Sequence, residues 1–349
     1  MNPSPSIVES ESPPSSTVLE VKGLHTHFHL NEGTVRAVDG VDFVLERGKT
    51  LCLVGESGCG KSVTAFSILR LLTPPGKIVG GQLLFHDQEG ITDIAALPPE
   101  GTALRKIRGN RIAMIFQEPM TSMSPVHTVG SQIAEAVQLH QQVTRHEAEL
   151  RAVAMMGKVG IPDPKRRIGQ YPHEMSGGLR QRAMIAMALV CRPDILIADE
   201  PTTALDVTIQ AEILFLMREL QEELNMAILL ITHDLGVVAQ MADRVAVMYW
   251  GKIVEEAPVE VLFDNPRHPY SCGLMASIPG RAAPKSRLEA IRGSVPDPLT
   301  RLAGCPYHPR CSHMIRGQCD VGERPLLMPC GKGQHVACPV VMTETNPPR

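Results

Sequence analysis

The stretch Leu51-Cys52-Leu53-Val54-Gly55-Glu56-Ser57-Gly58-Cys59-Gly60-Lys61-Ser62 decides the fold. Its last eight residues fit G-x-x-x-x-G-K-[ST], a phosphate-binding loop, and the apolar run before them reads as a buried strand. Residues 62–72 read as a helix stopped by Thr73-Pro74-Pro75-Gly76. Strand, glycine loop and helix is the setting this motif requires. The glycines let backbone N–H groups converge on phosphate oxygens, and the helix N-terminus adds its positive end. Lys61 is placed to reach the β- and γ-phosphates, and the Ser62 hydroxyl to bind Mg²⁺.

The 349 residues suggest two or so domains, and a hydrophobic content of 43% is ordinary for a globular chain. Aromatics are only 3%, so the core is expected to be aliphatic and Met-rich. A net charge of −3 gives no basic footprint for nucleic acid. No apolar run approaches the roughly 18 residues of a membrane span, so membrane association is expected to come through a partner. Residues 1–16 are polar and Pro/Ser-rich, with no basic or apolar leader region, and read as a disordered tail.

Working outward, Val18-Leu19-Glu20-Val21 and residues 37–43 alternate like strands, with Phe28 between them. Spacing alone gives Phe28 a packing role. Residues 80–85 read as a strand, followed by a loop-rich stretch to Gly109. Residues 111–116 read as a buried strand that delivers Gln117 to the sheet edge where α/β folds place ligands. Residues 126–160 carry helical periodicity. Ser176 reads as an N-cap, followed by Gly177, Gly178 and a buried helix, so its N-terminus is a second anion-receiving site. Ile195-Leu196-Ile197-Ala198 ends in Asp199 and Glu200. Two adjacent acids at a strand end repel one another, and a bound cation removes that objection. Asp206 lies in the turn before a long helix, residues 208–224. His233 follows a further buried strand, and residues 243–255 read as a hairpin turning at Trp250-Gly251.

Taken together, these motifs resemble the ATP-binding cassette (ABC) ATPases from about residue 18 to residue 279. The closer resemblance is to the ATPase subunits of dipeptide/oligopeptide importers. It is carried by MSGGLRQRAMIAMAL from Met175, IADEPTTALDVTIQA from Ile197, NPRHPYSCGL from Asn265 and GCPYHPRC from Gly304. Leu179 departs from the wider family's LSGGQ, where a glutamine stands. The resemblance implies an α/β fold: a P-loop (RecA-like) ABC core with an antiparallel β subdomain, a helical subdomain and a Cys-rich C-terminal extension. The corresponding boundaries are 1–17 for the tail, 18–260 for the nucleotide-binding domain (helical part about 118–184) and 261–349 for the extension.

For the site, the resemblance implies that Gly55, Glu56, Ser57, Gly58, Cys59, Gly60, Lys61 and Ser62 cradle ATP and that Phe28 stacks on adenine. Ser176, Gly177 and Gly178 then complete the site on an opposite subunit, and Asp206, in the D-loop, is counted among the ATP-binding residues. Ser62, Gln117 and Asp199 attend Mg²⁺, Glu200 polarises the attacking water, and His233 contacts the γ-phosphate. The implied partners are a second ABC ATPase subunit, two transmembrane permease subunits and an extracytoplasmic substrate-binding protein, with the chain peripheral on the cytoplasmic membrane face. A related importer for nickel, glutathione or another solute is the alternative reading, because substrate choice lies in other chains. A soluble ABC ATPase acting on nucleic acid or ribosomes fits less well, because the chain has one P-loop and no long coiled-coil insert.

Five of the nine cysteines fall in the tail, as Cys305, Cys311, Cys319, Cys330 and Cys338. In a nucleotide-binding chain such clustering favours a metal over disulfides. No short C-x2-4-C pair is present, and spacing leaves an iron–sulfur cluster, zinc and free thiols open. The resemblance to peptide-importer tails, some of which hold a [4Fe–4S] cluster, implies Cys305, Cys311, Cys319 and Cys338 as ligands. Cys330 is then extra, and His308, His313 and His335 rank below the thiols.

Overall fold

Three runs, Thr50–Val54, Ile195–Asp199 and Ala227–Ile231, are buried at every position. Strands covered on both faces need apolar side chains pointing both ways, which is why these read as unbroken apolar runs. The computed structural model describes residues 16–88, 90–117, 122–203, 205–278 and 291–343. Most of the predicted N-terminal tail and the first residues after Arg281 lie outside that set.

In chain order the strands are β1 (Thr17–Leu30), β2 (Gly33–Glu46), β3 (Thr50–Val54), β4 (Gly76–Asp87), β5 (Gly90–Asp93) and β6 (Ile112–Ile115). They continue as β7 (Ile195–Asp199), β8 (Ala227–Ile231), β9 (Arg244–Tyr249), β10 (Lys252–Pro258), β11 (Met328–Gly331) and β12 (Gln334–Val336). One sheet has the order β2-β1-β4-β5, and the other β11-β12-β10-β9-β3-β8-β7-β6. The first is antiparallel throughout. In the second, β9, β3, β8, β7 and β6 run parallel, and β10, β12 and β11 extend it antiparallel.

Alternate residues of β3 serve different cores. Leu51 and Leu53 join the cluster shared with the antiparallel sheet, while Cys52 and Val54 join the cluster shared with the helices. The Val129–His140 and Arg145–Lys158 helices pack there with the Gly177–Leu189 helix. Thr128 and Thr144 cap the first two, each accepting a backbone N–H three residues on.

The helix expected over residues 62–72 runs only from Lys61 to Ile68. Arg70 turns left-handed, at φ 54°. Arg108 donates to the carbonyls of Leu69 and Arg70, both at 2.6 Å, and so satisfies oxygens that the shortened helix leaves open. The stretch before Gly109 also contains β5 and a Thr102–Ile107 helix.

The C-terminal extension is built onto the core sheet. Glu255 of β10 is fully buried and accepts from the backbone N–H groups of Arg267 and His268, both at 2.8 Å, and from Gln334 Nε2 at 2.6 Å. Burial raises its carboxyl above the usual range, against the pull of these hydrogen bonds. One side chain thereby fixes two segments of the extension to β10.

Candidate functional site

The loop after β3 is shaped by close approach. A Cβ on Gly55 (φ 154°) would stand 2.2 Å from the Met248 carbonyl oxygen, and one on Gly60 (φ 109°) 2.2 Å from that of Ala37. Only glycine fits either place. Lys61 folds back across the loop, 7% exposed, donating to the carbonyls of Gly55 at 2.8 Å and Glu56 at 3.0 Å. The predicted hairpin turn supports the loop from below, with Gly251 N–H donating to the Cys59 carbonyl at 2.9 Å. The Cys59 thiol is buried, and burial raises its pKa despite Lys61 nearby. It is a packing residue with no free thiolate.

Asp199, at the end of β7, is 3% exposed. Burial raises its pKa, the nearby Ser62 hydroxyl lowers it, and the neighbouring Glu200 charge raises it further. Its Oδ1 has no hydrogen-bond partner. A buried carboxylate oxygen lacking a partner, beside a serine hydroxyl at a phosphate loop, is a donor set suited to a hard cation such as Mg²⁺.

Glu200 adopts a left-handed backbone (φ 47°) and donates its N–H to the Ile231 carbonyl at 2.8 Å. This conformation costs about 1 kcal/mol for a residue with a Cβ. It turns the carboxylate toward three donors: His233 Nδ1 at 3.0 Å, Thr203 Oγ1 at 3.0 Å and Gln117 Nε2 at 3.2 Å. Burial pushes the carboxyl up, but the hydrogen bonds from His233 and Thr203 outweigh it and the net shift is downward. Glu200 is therefore ionised at neutral pH. His233 is 66% exposed on the same edge. Thr203 was not foreseen; its signal is the pair Thr202-Thr203 that follows Glu200. Gln117 was expected at the cation, yet here its amide faces Glu200.

Ser176 stands at the N-cap of the Gly177–Leu189 helix but makes no side-chain capping bond, contrary to expectation. Ser176 and Gly177 face solvent, so the helix end presents unused N–H groups outward. Gln181, one turn on, donates to the Pro201 carbonyl and ties this helix to the loop after Glu200. Asp206 caps the Val207–Leu224 helix, accepting from Ile209 N–H at 3.0 Å. Phe28 is half-buried on β1, its ring against Gly76, where a Cβ would come within 2.6 Å.

Cys305, Cys311, Cys319 and Cys338 line one cavity of about 310 Å³ together with His268. Burial, with the neighbouring thiols adding, pushes Cys305 up to about 12 and Cys311 to about 11. Burial lowers His268 to about 3, so its ring is neutral. Its Nδ1 accepts from Tyr270 N–H at 3.1 Å, which leaves the proton on Nε2, 4.0 Å from Cys305 Sγ. Cys330, on β11, does not line the cavity but packs against the cluster that holds Cys319 and Cys338, its thiol donating to the Gln334 carbonyl. Among the described residues, no three His, Cys, Asp or Glu side chains meet closely enough to hold a single metal ion.

Comparison with known proteins agrees with this geometry. Residues 38–203 match the ABC transporter family, and residues 254–319 match the oligopeptide/dipeptide transporter C-terminal region. The probable peptide ABC transporter ATP-binding protein y4tR of Sinorhizobium fredii is 53% identical over 94% of this chain and 96% of its own length. The dipeptide transport ATP-binding protein DppD of Bacillus subtilis is 50% identical, covering 85% and 88%. Among solved structures, the dimeric bacterial ABC transporter cassette MJ0796 superposes with a TM-score of 0.60 at 26% identity, over 69% of this chain and 98% of that one. With the parallel core, the phosphate loop, the paired acids of β7 and the C-terminal region all present, the chain belongs to the ATP-binding subunits of the peptide ABC transporter family.

Proposed function

We propose that this chain hydrolyses ATP to power import of di- and oligopeptides from the cytoplasmic face of the cell membrane. It works with a second ABC ATPase subunit, two permease subunits and an extracytoplasmic binding protein. The observation that carries the reading is the convergence of Ser62, Gln117, Asp199, Glu200 and His233 at the carboxyl edge of β3, β6, β7 and β8. Lys61 exchanges two carbonyl partners for phosphate oxygens. Ser62 and Asp199 hold Mg²⁺, which when bound offsets phosphate charge during transfer. Glu200 accepts a hydrogen bond from the attacking water, while His233, Thr203 and Gln117 keep its carboxylate aimed. The exposed Ser176-Gly177-Gly178 end serves the partner subunit's nucleotide, and Phe28 stacks on adenine. No helix among the described residues is long and apolar enough to cross a membrane, so attachment through permeases accords with the chain. The test is peptide uptake in cells lacking the chain. Loss of di- and oligopeptide accumulation, restored by the wild-type gene and not by K61A, is expected. Undiminished peptide uptake, or ATPase activity stimulated by nucleic acid, would overturn the reading.

The cysteine cavity is proposed to hold a [4Fe–4S] cluster through Cys305, Cys311, Cys319 and Cys338. Zinc draws its sulfurs to about 2.3 Å from one point, whereas a cluster sets its thiolates around a larger body. Four thiols lining one cavity are the observation that supports the cluster. His268 Nε2–H is placed to donate toward Cys305, a contact that tunes cluster thiolates. Anaerobically purified protein is expected to be brown, with about four irons per chain. A colourless protein with one zinc per chain would refute the cluster.

A further inference from the structure

The second residue of the phosphate loop is held by parts of the chain that follow it by more than 200 positions. Glu56 accepts both arms of the Arg310 guanidinium, at 2.6 and 3.0 Å, across 254 residues of sequence. Its backbone N–H donates to the Tyr270 hydroxyl at 2.8 Å, and its carbonyl accepts from Lys61 at 3.0 Å. Carboxylate, amide and carbonyl are all engaged, two of the three by the C-terminal extension.

Arg310 is itself closely held. Its side chain is 4% exposed, its Nε donates to the Arg292 carbonyl at 2.9 Å, and its Cζ lies 5.8 and 5.9 Å from the Tyr249 and Tyr307 ring centres. Tyr270 is fully buried, with its ring 4.7 Å from Tyr249 and 5.4 Å from Tyr307. A bidentate, stacked guanidinium is a geometry that lysine cannot reproduce.

Glu56 is an awkward residue for this place. A carboxylate in a loop that must receive a triphosphate repels it, and water screens poorly there because Glu56 is only half-exposed. We infer that Arg310 and Tyr270 are positioning residues of the phosphate loop, supplied by the C-terminal extension to fix Glu56 and cancel its charge where ATP's phosphates bind. The inference rests on the reading of residues 55–62 as the ATP cradle.

The test measures Mg-ATP dissociation constants calorimetrically on the full chain. R310Q leaves Glu56 uncompensated and is expected to weaken binding about tenfold, acting on KM for ATP more than on kcat. E56Q/R310Q, with no charge left to offset, returns to within about twofold of wild type. Y270F frees the Glu56 N–H and weakens binding by a smaller factor. Y270F removes one hydroxyl and no charge, so the inference stays testable even where R310Q folds poorly. Unchanged affinity in R310Q or in Y270F, or no recovery in the double variant, would each overturn the inference. A wild-type chain that binds no Mg-ATP would instead overturn the reading of the cradle itself.

Discussion

Glu200→Gln is expected to lower ATP turnover by about 10³-fold, within the range that a general base contributes. The amide keeps the shape of the side chain but cannot draw a proton from water. Binding of Mg-ATP is expected to hold or tighten, because a negative charge near the phosphates is removed. Subunits that close on nucleotide then stay closed, which size-exclusion chromatography in ATP reads as a persistent dimer. The wild-type pH profile carries a matching signature. His233 and Thr203 hold the Glu200 carboxyl below its ordinary value against the effect of burial. The acid limb of kcat should therefore fall below the usual glutamate range. The same group contributes stability above the unfolded glutamate pKa and loses it as pH falls through the lowered folded value. Turnover of E200Q within a few-fold of wild type would remove Glu200 from the chemistry.

Asp199→Asn is expected to separate stability from activity. The wild-type carboxylate is buried, its pKa raised by burial, and Oδ1 has no partner. A raised carboxyl binds more protons folded than unfolded, so stability falls as pH rises from the unfolded aspartate value through the folded one. The full cost then persists at neutral pH. Asparagine removes that charge, and the nucleotide-free variant should melt higher, by about 2–4 °C for each kcal/mol relieved. Hydrolysis should fall about 10²-fold or more for want of a cation ligand, and the further rise in Tm that Mg²⁺ gives the ATP-bound wild type should vanish. Lower stability of nucleotide-free D199N, or an intact Mg²⁺ response, would contradict the assigned role.

What could be read from the sequence was local chemistry. The runs Leu51-Cys52-Leu53-Val54, Ile195-Leu196-Ile197-Ala198 and Ala227-Ile228-Leu229-Leu230 announce strands buried on both faces, and the acids and histidine at their ends announce a ligand edge. The four cavity cysteines were named in advance, although their spacing could not show that they share one chamber. Contacts made over long separations were not legible. The early end of the Lys61–Ile68 helix is decided by Arg108, about forty residues on. The hold on Glu56 comes from Tyr270 and Arg310, whose motifs identified a family without saying what they touch. Ser176 has the residue type of a cap and the position of one, yet it is exposed and its side chain makes no capping bond.

The resting posture of Lys61 has a kinetic side. The residue lies almost wholly out of solvent, its ammonium bonded to two carbonyls of its own loop. The dehydration that an open, water-clad ammonium would undergo on meeting a phosphate is thus completed during folding. On the role proposed for Lys61, capture of nucleotide becomes a swap of acceptors at a fixed point. A small anion offering fewer oxygens than the loop already provides has little with which to win that exchange, whereas a triphosphate has several.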